Sequence, residues 1–428
     1  MTSIIPKLDG EIKPPFHEEQ AQYEAERCLI CGTQEVSAPC QVACPAGIDV
    51  PGFISAIGAG QWNTARDIIF AENPLGGTCA LVCPAPVLCE GACVLNHIGL
   101  RSVEVARLQR FASDHGFANL ANPVRHERSK SKIAVVGAGP SGLACASDLV
   151  DRGYQVTIYE AETEAGGLVR TAIAPYRQPT RAIEPEVQAL MTKGVQFEFN
   201  QALTTREDFQ QLEAQYSAIF LGVGLGADMA LDVPGHQLAG VWGALPFIER
   251  ARSGNWTPSA RSLVVIGAGN TAIDVARIGI RLGIPDVAVF YRRIPQRMKA
   301  YDYEVQEAIL EGVHFQWQAI VVEVLGSWRV QGVRCRQMGP VEDSMPFVLN
   351  ADLVVSAIGQ KRRAELDTAI QGLTWDGHQL VVDPETGQTA NPQYFAAGDA
   401  IGGTTVVEAV RGAKIAARGI SQWVRRSA

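Results

Sequence analysis

The sequence lacks the features of secreted, membrane-spanning and nucleic-acid-binding proteins. Its 428 residues include 45 acidic and 37 basic side chains, and the net charge of −8 argues against a nucleic-acid surface. The longest apolar runs, 133–138 and 263–268, are of strand length and lead into glycine turns, so neither could span a bilayer. The first 25 residues have scattered charges and no apolar core, unlike a secretory signal. We therefore expect a cytoplasmic location.

Several catalytic arrangements are also missing. Beyond Cys93 there is no C-x2-C or C-x4-C pair, so a thioredoxin-reductase-like dithiol is excluded. Cys145 and Cys335 stand alone, and we interpret both as core residues. The seven histidines show no metal-binding or triad spacing, and no Gly-x-Ser-x-Gly turn occurs. We therefore expect no acid, base or nucleophile from this chain.

Eight of the ten cysteines are concentrated before residue 94. They form two groups of four: Cys28, Cys31, Cys40 and Cys44, then Cys79, Cys83, Cys89 and Cys93. In a reducing cytosol such thiols are metal ligands more often than disulfides. Zinc sites favour C-x2-C pairs, whereas three of the four spacings here are C-x3-C, with proline after Cys44 and Cys83. The pattern favours iron–sulfur clusters, with a zinc-held interaction module as the alternative.

The chain is predicted to contain three domains. Apolar positions at three- and four-residue spacing predict helices at 20–29, 52–70 and 103–111, within a helical domain 1–128. A polar linker, 125–132, precedes alternating strands and helices. The order of the strands predicts two Rossmann-like domains in an α/β arrangement: an FAD domain, 129–227 and 362–428, and an NAD(P) domain inserted in it, 228–361.

The first glycine fingerprint, 136–142 (VGAGPSG), follows a predicted strand and opens a predicted helix. Its glycines permit a tight turn, close approach of a pyrophosphate, and close helix–strand packing. Glu160 ends the next strand, where a carboxylate can accept hydrogen bonds from ribose hydroxyls. This combination predicts a dinucleotide site.

FAD is favoured over NAD at this first site. The segment 396–400 (AAGDA) places Asp399 after a strand and a glycine, where its carboxylate can bind the ribityl or phosphate end of a flavin nucleotide. A helix predicted over 404–417 would direct its N-terminus at the flavin ring. An ordinary strand-to-helix loop is the alternative.

The second fingerprint, 266–272 (IGAGNTA), has alanine at its sixth position, which this motif tolerates. After its second strand stand Arg292 and Arg293 instead of an acid, with Lys299 nearby. A guanidinium there can pair with a ribose 2′-phosphate, so NADPH is favoured over NADH. A solvated basic loop is the alternative.

Three segments carry a family resemblance over nearly the whole chain: 72–84 (ENPLGGTCALVCP), 107–111 (RLQRF) and 175–179 (PYRQP). The sequence resembles the glutamate synthase small-subunit-like family and, more closely, the NAD(P)H-oxidising half of dihydropyrimidine dehydrogenase, which bacteria carry as a separate subunit. The resemblance implies FAD, a nicotinamide cofactor and two [4Fe-4S] clusters.

The resemblance also implies ligands by position. One cluster would use Cys28, Cys31, Cys40 and the Gln109 amide, and the other Cys44, Cys83, Cys89 and Cys93. Counting thiols alone would instead give four each and include Cys79. For FAD the matching positions are Gly137, Ala138, Gly139, Pro140, Ser141, Glu160, Leu168, Arg177, Leu203, Gly398, Asp399, Thr404, Thr405, Val406 and Val407. For the nicotinamide nucleotide they are Ala268, Gly269, Asn270, Thr271, Arg292, Lys299, Ala357 and Gly359.

The resulting expectation is an NAD(P)H-dependent oxidoreductase subunit. It would pass electrons from NAD(P)H through FAD and the clusters to an FMN-containing catalytic subunit that reduces uracil or thymine, because this chain has no third nucleotide site of its own. The alternative within this class is a glutamate synthase small subunit that serves a glutamine-dependent large subunit.

Overall fold

The computed structural model describes residues 7–33, 35–116, 131–338 and 345–427. The chain forms two compact units. The small unit comprises Met1–Ile12, Thr171–Thr180 and Gly226–Lys361, and the large unit comprises Lys13–Arg170, Arg181–Leu225 and Arg362–Ala428. Compactness does not show which cofactor a unit binds, so the three-domain assignment stays a prediction.

Helices and strands alternate after an all-helical start. The helices are α1 (Glu18–Glu26), α2 (Pro39–Val42), α3 (Val50–Gly58), α4 (Trp62–Glu72), α5 (Gly76–Val82), α6 (Val94–His97), α7 (Val105–Gly116), α8 (Pro140–Asp151), α9 (Leu168–Thr171), α10 (Glu184–Lys193), α11 (Arg206–Gln215), α12 (Ala244–Arg252), α13 (Asn270–Arg281), α14 (Asp302–Leu310), α15 (Leu366–Ala369) and α16 (Val406–Ser427). The strands are β1 (Lys132–Val136), β2 (Gln155–Tyr159), β3 (Gln196–Glu198), β4 (Ala218–Leu221), β5 (Val241–Gly243), β6 (Ser262–Ile266), β7 (Asp286–Tyr291), β8 (His314–Trp317), β9 (Ala319–Gly326), β10 (Val330–Gln337), β11 (Phe347–Asn350), β12 (Leu353–Ser356), β13 (Trp375–Asp376), β14 (Gln379–Leu380) and β15 (Tyr394–Ala396).

In the helical region of the large unit, the helices predicted at 20–29 and 103–111 correspond to α1 and α7, whose ends differ from the predicted bounds by two to five residues. The single helix expected over 52–70 is two helices, α3 and α4. Gly60, between them, has φ +71°, a left-handed conformation that ends a helix and suits glycine. Asp49 begins α3, because its carboxylate accepts the Gly52 N–H at 3.0 Å. The predicted linker lies outside the described residues, except for Ser131 and for Lys132, which begins β1.

The large unit contains a parallel five-stranded sheet in the order β15–β4–β1–β2–β3. Val135 at its centre pairs with Ile158 on one side and Phe220 on the other. Every residue of β4 and β15 is buried, as expected for parallel strands covered by helices on both faces. The strand order places the first fingerprint, between β1 and α8, at the carboxyl edge of the central strand.

The small unit repeats this arrangement. Its parallel sheet has the order β5–β12–β6–β7–β8, with the second fingerprint between the central strand β6 and helix α13. The strands that follow β8 form an antiparallel sheet, β9–β10–β11, and Cys335 lies on its middle strand, β10.

A buried ionic network fixes α13 in the small unit. Arg277 is almost fully buried and donates to Glu304 at 3.1 Å and to Glu311 at 2.6 Å. Arg281 binds Glu311 at 2.7 Å, and both guanidinium groups lie over the Tyr176 ring. Removing one member would leave a buried charge without its partner, so we expect the network to act as a unit.

The two early segments of the small unit are joined to this network. Arg281 donates to the carbonyl oxygens of Lys7 at 2.8 Å and Gly10 at 3.2 Å. The Ile12 N–H donates to the Tyr176 carbonyl at 3.1 Å. The described residues 7–12 are therefore part of the small unit. Within the described residues, no helix is both long enough and apolar enough to cross a membrane.

Candidate functional site

The first fingerprint forms a tight turn in which two positions have room only for glycine. Gly137 has φ +99°, and a Cβ there would lie 2.5 Å from the Gly222 carbonyl oxygen. A Cβ on Gly142 would lie 1.9 Å from the Gly137 oxygen, so this glycine lets α8 approach β1. Gly139 differs, because a Cβ there would have no neighbour closer than 4.0 Å. Its open side leaves the room that a pyrophosphate needs.

Glu160 lies beside this turn. Its two carboxylate oxygens accept the N–H groups of Ala138 at 2.6 Å and Glu162 at 2.9 Å. Its own backbone carbonyl accepts the Gln201 N–H at 2.8 Å, two residues before Leu203. The end of β2 therefore places a carboxylate against the fingerprint, as the sequence predicted.

A glycine pair that the sequence analysis missed covers the same turn. The Gly166 N–H donates to the Ala138 carbonyl at 2.8 Å. A Cβ on Gly167 would lie 2.9 Å from the Gly139 Cα, so the two backbones approach closely. Leu168 follows directly as the first residue of α9. The doublet Gly166-Gly167 was the available signal.

The C-terminal segment completes this cradle. A Cβ on Gly398 would lie 2.9 Å from the Ser141 hydroxyl oxygen, so these two predicted residues lie side by side. Burial, and secondarily the charge of Glu408, raise the pKa of Asp399 to about 6. The surroundings are thus unfavourable to an isolated carboxylate, and hydrogen-bond donors such as ribityl hydroxyls would stabilise it.

Helix α16 begins two residues later than predicted and continues to Ser427. Before it, the Thr404 N–H, the Thr404 hydroxyl and the Thr405 hydroxyl donate to Glu408 at 3.0, 2.9 and 3.0 Å. Burial raises the pKa of Glu408, but these hydrogen bonds outweigh it and leave that pKa below its usual value. Val406 and Val407 form the first turn of α16. Glu408 was not predicted, although a carboxylate three residues after Thr405 resembles a capping box.

The structure places Arg177 in the small unit, whereas the other positions matched to FAD lie in the large unit. Its Nε donates to Asp274 at 2.7 Å, and its two terminal nitrogens donate to Glu304 at 2.7 and 2.6 Å. All three nitrogens are thus held by buried carboxylates, and Arg177 joins the small-unit network. Its assignment to FAD stays a prediction.

The second fingerprint has the same geometry. Gly267 has φ +145°, and a Cβ there would lie 2.2 Å from the Ala357 carbonyl oxygen, which brings the end of β12 against the turn. Gly269 has no atom within 4 Å of such a Cβ. Gly359 has φ +114° in the loop after β12, and its carbonyl accepts the Met229 N–H at 2.8 Å.

The loop after β7 returns to this turn. The Lys299 and Ala300 N–H groups donate to the Ala268 carbonyl at 3.1 and 3.0 Å, and the Tyr301 N–H donates to the Asn270 side-chain oxygen at 3.0 Å. Thr271 is exposed at the start of α13. The predicted Lys299 is thus held beside the fingerprint by its backbone.

The loop also presents positive charge. Four cations are exposed there: Arg292, Arg293, Arg297 and Lys299. Among the described residues, none of the four forms an ion pair, in contrast to the paired arginines of α13. Unpaired guanidinium groups at the end of the second strand are suited to a 2′-phosphate.

Four thiols line a single pocket in the helical region. They are those of Cys28, Cys31, Cys40 and Cys93, with Leu29, Pro39 and Pro51 among the apolar neighbours. Burial raises the pKa of Cys28 and Cys40, the latter to about 11, and the Cys93 thiol adds to both shifts. We call this set the first thiol group.

This grouping differs from the one implied by the resemblance, which placed Cys93 in the other cluster and Gln109 here. The reason is that α6 begins directly after Cys93 and brings it beside Cys28 and Cys40, not beside Cys44. No local spacing in the sequence reveals this pairing, because 62 positions separate residue 31 from residue 93.

The second thiol group consists of Cys44, Cys83 and Cys89. Burial raises the pKa of Cys44 and Cys89. The neighbouring Cys83 thiol raises both pKa values further, and the Cys44 thiol adds to the shift of Cys89. A hydrogen bond with Cys79, followed by burial, raises the pKa of Cys83. Metal binding would therefore release protons from these thiols at neutral pH.

Two residues compete for the fourth position of this group. Cys79 is 2% exposed and hydrogen-bonded to Cys83. Gln109 is 8% exposed, and its amide nitrogen donates to the Gly76 carbonyl at 2.7 Å, at the start of the helix that ends before Cys83. Within the described residues, no three His, Cys, Asp or Glu side chains converge as ligands of a single metal ion.

Comparison with family profiles divides the chain in two. Residues 7–120 match the dihydropyrimidine dehydrogenase domain II, 4Fe-4S cluster family, and residues 131–417 match the pyridine nucleotide-disulphide oxidoreductase family. The first match supports iron–sulfur ligation over the zinc alternative. The second covers more than half of the chain, yet the only cysteines in it, Cys145 and Cys335, are buried on different elements.

Several curated relatives are similar over most of the chain. The NAD-dependent dihydropyrimidine dehydrogenase subunit PreT of Salmonella typhimurium is 32% identical, with 97% of each chain covered. The glutamate synthase [NADPH] small chain of Escherichia coli is 29% identical over 97% of this chain and 93% of its own. The NADPH-Fe(3+) oxidoreductase subunit beta of Geobacter sulfurreducens is 34% identical over 91% of this chain, which spans only 64% of that relative.

A solved structure supports the fold. The FprA oxidoreductase of Mycobacterium tuberculosis superposes with a TM-score of 0.58 at 20% identity, covering 70% of this chain and 86% of its own. The α/β class with an N-terminal iron–sulfur domain is therefore confirmed. The chain belongs to the pyridine nucleotide-disulphide oxidoreductase family and is an NAD(P)H-dependent iron–sulfur flavoprotein subunit.

Proposed function

We propose that this chain is the electron-input subunit of a dihydropyrimidine dehydrogenase. It would take electrons from NADPH and deliver them to an FMN-containing partner that reduces uracil or thymine. The observation that carries the proposal is that the flavin cradle and both thiol groups belong to one compact unit. Full-length similarity to the PreT subunit supports the choice of final substrate.

The residues of the large unit divide the work of holding FAD. The Gly137–Gly142 turn would receive the pyrophosphate at the N-terminus of α8, and Glu160 would accept hydrogen bonds from the ribose. Gly398 and Asp399 close the cradle from the C-terminal side. When bound, FAD supplies the conversion of a two-electron hydride into single electrons. We assign FAD to 129–227 and 362–428, and the nicotinamide nucleotide to 228–361.

The exposed cations after β7 favour NADPH. Arg292 and Arg293 follow the strand at the position of ribose recognition, and Lys299 is held beside Ala268. The relatives differ on this point, since the PreT subunit is described as NAD-dependent and the glutamate synthase small chain as NADPH-dependent. The charges of this chain's own loop support the phosphorylated nucleotide.

For the clusters we propose two [4Fe-4S] centres. The first would be bound by Cys28, Cys31, Cys40 and Cys93, and the second by Cys44, Cys83, Cys89 and the Gln109 amide. Each substitution should then remove one electron paramagnetic resonance signal. Cys93→Ser should act like Cys28→Ser, whereas Cys44→Ser should remove the other signal, and Cys79→Ala should preserve both. Loss of the same signal in Cys93→Ser and Cys44→Ser would refute this grouping.

Reconstitution with candidate partners tests the function. The purified chain is mixed with a dihydropyrimidine dehydrogenase catalytic subunit, NADPH and uracil, or with a glutamate synthase large subunit, glutamine and 2-oxoglutarate. Ferricyanide reduction serves as a control for the NADPH-oxidising half alone. We expect uracil-dependent NADPH consumption. Consumption only in the glutamine mixture would establish the alternative and refute our proposal.

A further inference from the structure

Lys13 lies against a proposed ligand of the second cluster. Its Nζ donates to the carbonyl oxygen of Cys83 at 2.9 Å, although 70 positions separate the two residues. Cys83 follows α5 directly as its C-cap, so the ammonium group lies at the C-terminal end of that helix, where a positive charge is favourable. An ammonium group there neutralises both the helix end and charge on the neighbouring sulfur.

The backbone of Lys13 is fixed as well. Its carbonyl oxygen accepts a hydrogen bond from Arg110 at 2.6 Å. Arg110 follows the proposed ligand Gln109 on α7. Lys13 is therefore connected to the peptide segments of two proposed ligands of the same cluster, and its charge is held near that cluster.

The positive charge of Lys13 would change the reduction potential of a cluster at this position. A [4Fe-4S] centre gains one electron on reduction and changes no bond, so its negative charge grows by one. A nearby cation stabilises the reduced form more than the oxidised form and raises the reduction potential.

We propose that Lys13 is an electrostatic positioning residue that raises the reduction potential of the second cluster and so favours electron transfer to it from the flavin side. This inference rests on the proposed function, specifically on a cluster at Cys44, Cys83 and Cys89. The ammonium acts through space and through the Cys83 peptide, not as a ligand.

Redox titration of the full-length chain tests this role. Lys13→Gln removes the charge but keeps a hydrogen-bond donor, Lys13→Arg keeps the charge, and Lys132→Gln at the exposed start of β1 is the matched control. Midpoint potentials are followed anaerobically by electron paramagnetic resonance, with iron and acid-labile sulfide measured in each protein. In Lys13→Gln we expect one cluster to become about tenfold harder to reduce, equivalent to about 59 mV for one electron.

The other cluster should be unchanged, and Lys13→Arg and Lys132→Gln should titrate like the wild type. Unchanged potentials in a fully loaded Lys13→Gln protein would overturn the proposal, as would equal shifts in Lys13→Gln and Lys13→Arg or loss of the cluster from both. Wild-type protein without iron and sulfide would refute the proposed function itself, and this is measured first.

Discussion

Each parallel sheet has a glycine turn of the same kind after its central strand. The two units differ at the sixth residue of this turn, where the helix approaches the strand, and at the residue that follows the second strand. In the large unit, the sixth residue of the turn is Gly142 and the second strand is followed by Glu160. In the small unit, these positions hold Ala272 and Arg292. One turn therefore presents a buried carboxylate, and the other presents an exposed guanidinium.

The first glycine of each turn shows what the two sites share. Gly137 and Gly267 both have positive φ, and both lie against a carbonyl oxygen of the neighbouring strand end. This glycine forms the turn in either unit, whatever the ligand. We therefore propose that the turn binds phosphate in both units, whereas the residue after the second strand selects the nucleotide.

The largest effect on stability and FAD content is expected at the sixth residue of the glycine turn. Gly142→Ala places a methyl group 1.9 Å from the Gly137 oxygen, and relieving the overlap should cost about 3 kcal/mol and most of the bound FAD. The reciprocal Ala272→Gly, in a turn that already accommodates a methyl group, should cost about 1 kcal/mol. FAD content and thermal melting measure both. Equal tolerance of the two changes would show that the turns are packed alike.

Removing the two arginines after β7 should have the next largest effect. Arg292→Ala with Arg293→Ala should raise KM for NADPH about 100-fold, equivalent to about 3 kcal/mol of lost charge-assisted hydrogen bonding, and leave KM for NADH nearly unchanged. Arg336→Ala, exposed on β10, controls for loss of charge alone. If both nucleotides weaken equally, the loop does not recognise a 2′-phosphate.

A smaller effect is expected from the carboxylate after β2. Glu160→Gln keeps the size of the side chain but removes its charge, and its hydrogen bond from Ala138 should weaken. We expect the dissociation constant of FAD to rise about tenfold, or about 1.4 kcal/mol, measured by flavin fluorescence on dilution. Glu162→Gln is the neighbouring control. An unchanged dissociation constant would remove Glu160 from the flavin site.

The smallest effect concerns pH. The pKa of Asp399 is raised from 3.8 to about 6, so in the folded chain without FAD the carboxyl group binds a proton that the unfolded chain has already lost. Stability then falls as pH rises between these values. Relative to Asp399→Asn, deflavinated wild-type protein should be about 1 kcal/mol less stable at pH 7 than at pH 5. Parallel melting curves for the two proteins at both pH values would contradict this.

The central strand of each parallel sheet could be predicted because burial makes it locally distinct. The apolar runs 133–138 and 263–268 include all but the first residue of β1 and of β6, and each leads into a glycine turn. The long C-terminal helix was predicted too short, because its small and charged residues beyond residue 417 show little apolar signal by themselves.

Contacts between residues far apart in the chain could not be predicted from the sequence. Glu186 accepts the N–H groups of Gly77 at 2.8 Å and Thr78 at 3.1 Å, together with the Thr78 hydroxyl, and so caps α5 from more than 100 positions away. Burial raises the pKa of Glu186 to about 7. No periodicity or spacing identifies such a residue. The grouping of Cys93 with Cys28 and the placement of Arg177 in the small unit depend on long-range contacts of the same kind.

The position of β15 has a consequence for biosynthesis. This strand pairs with β4, yet the whole segment Gly226–Lys361 lies between them in the chain. As the polypeptide leaves the ribosome, every strand of the small unit emerges before Tyr394. A nascent chain that stalled there would already contain the complete nicotinamide turn but neither Gly398 nor Asp399. The proposed flavin cradle can therefore be completed only after the whole small unit has been synthesised.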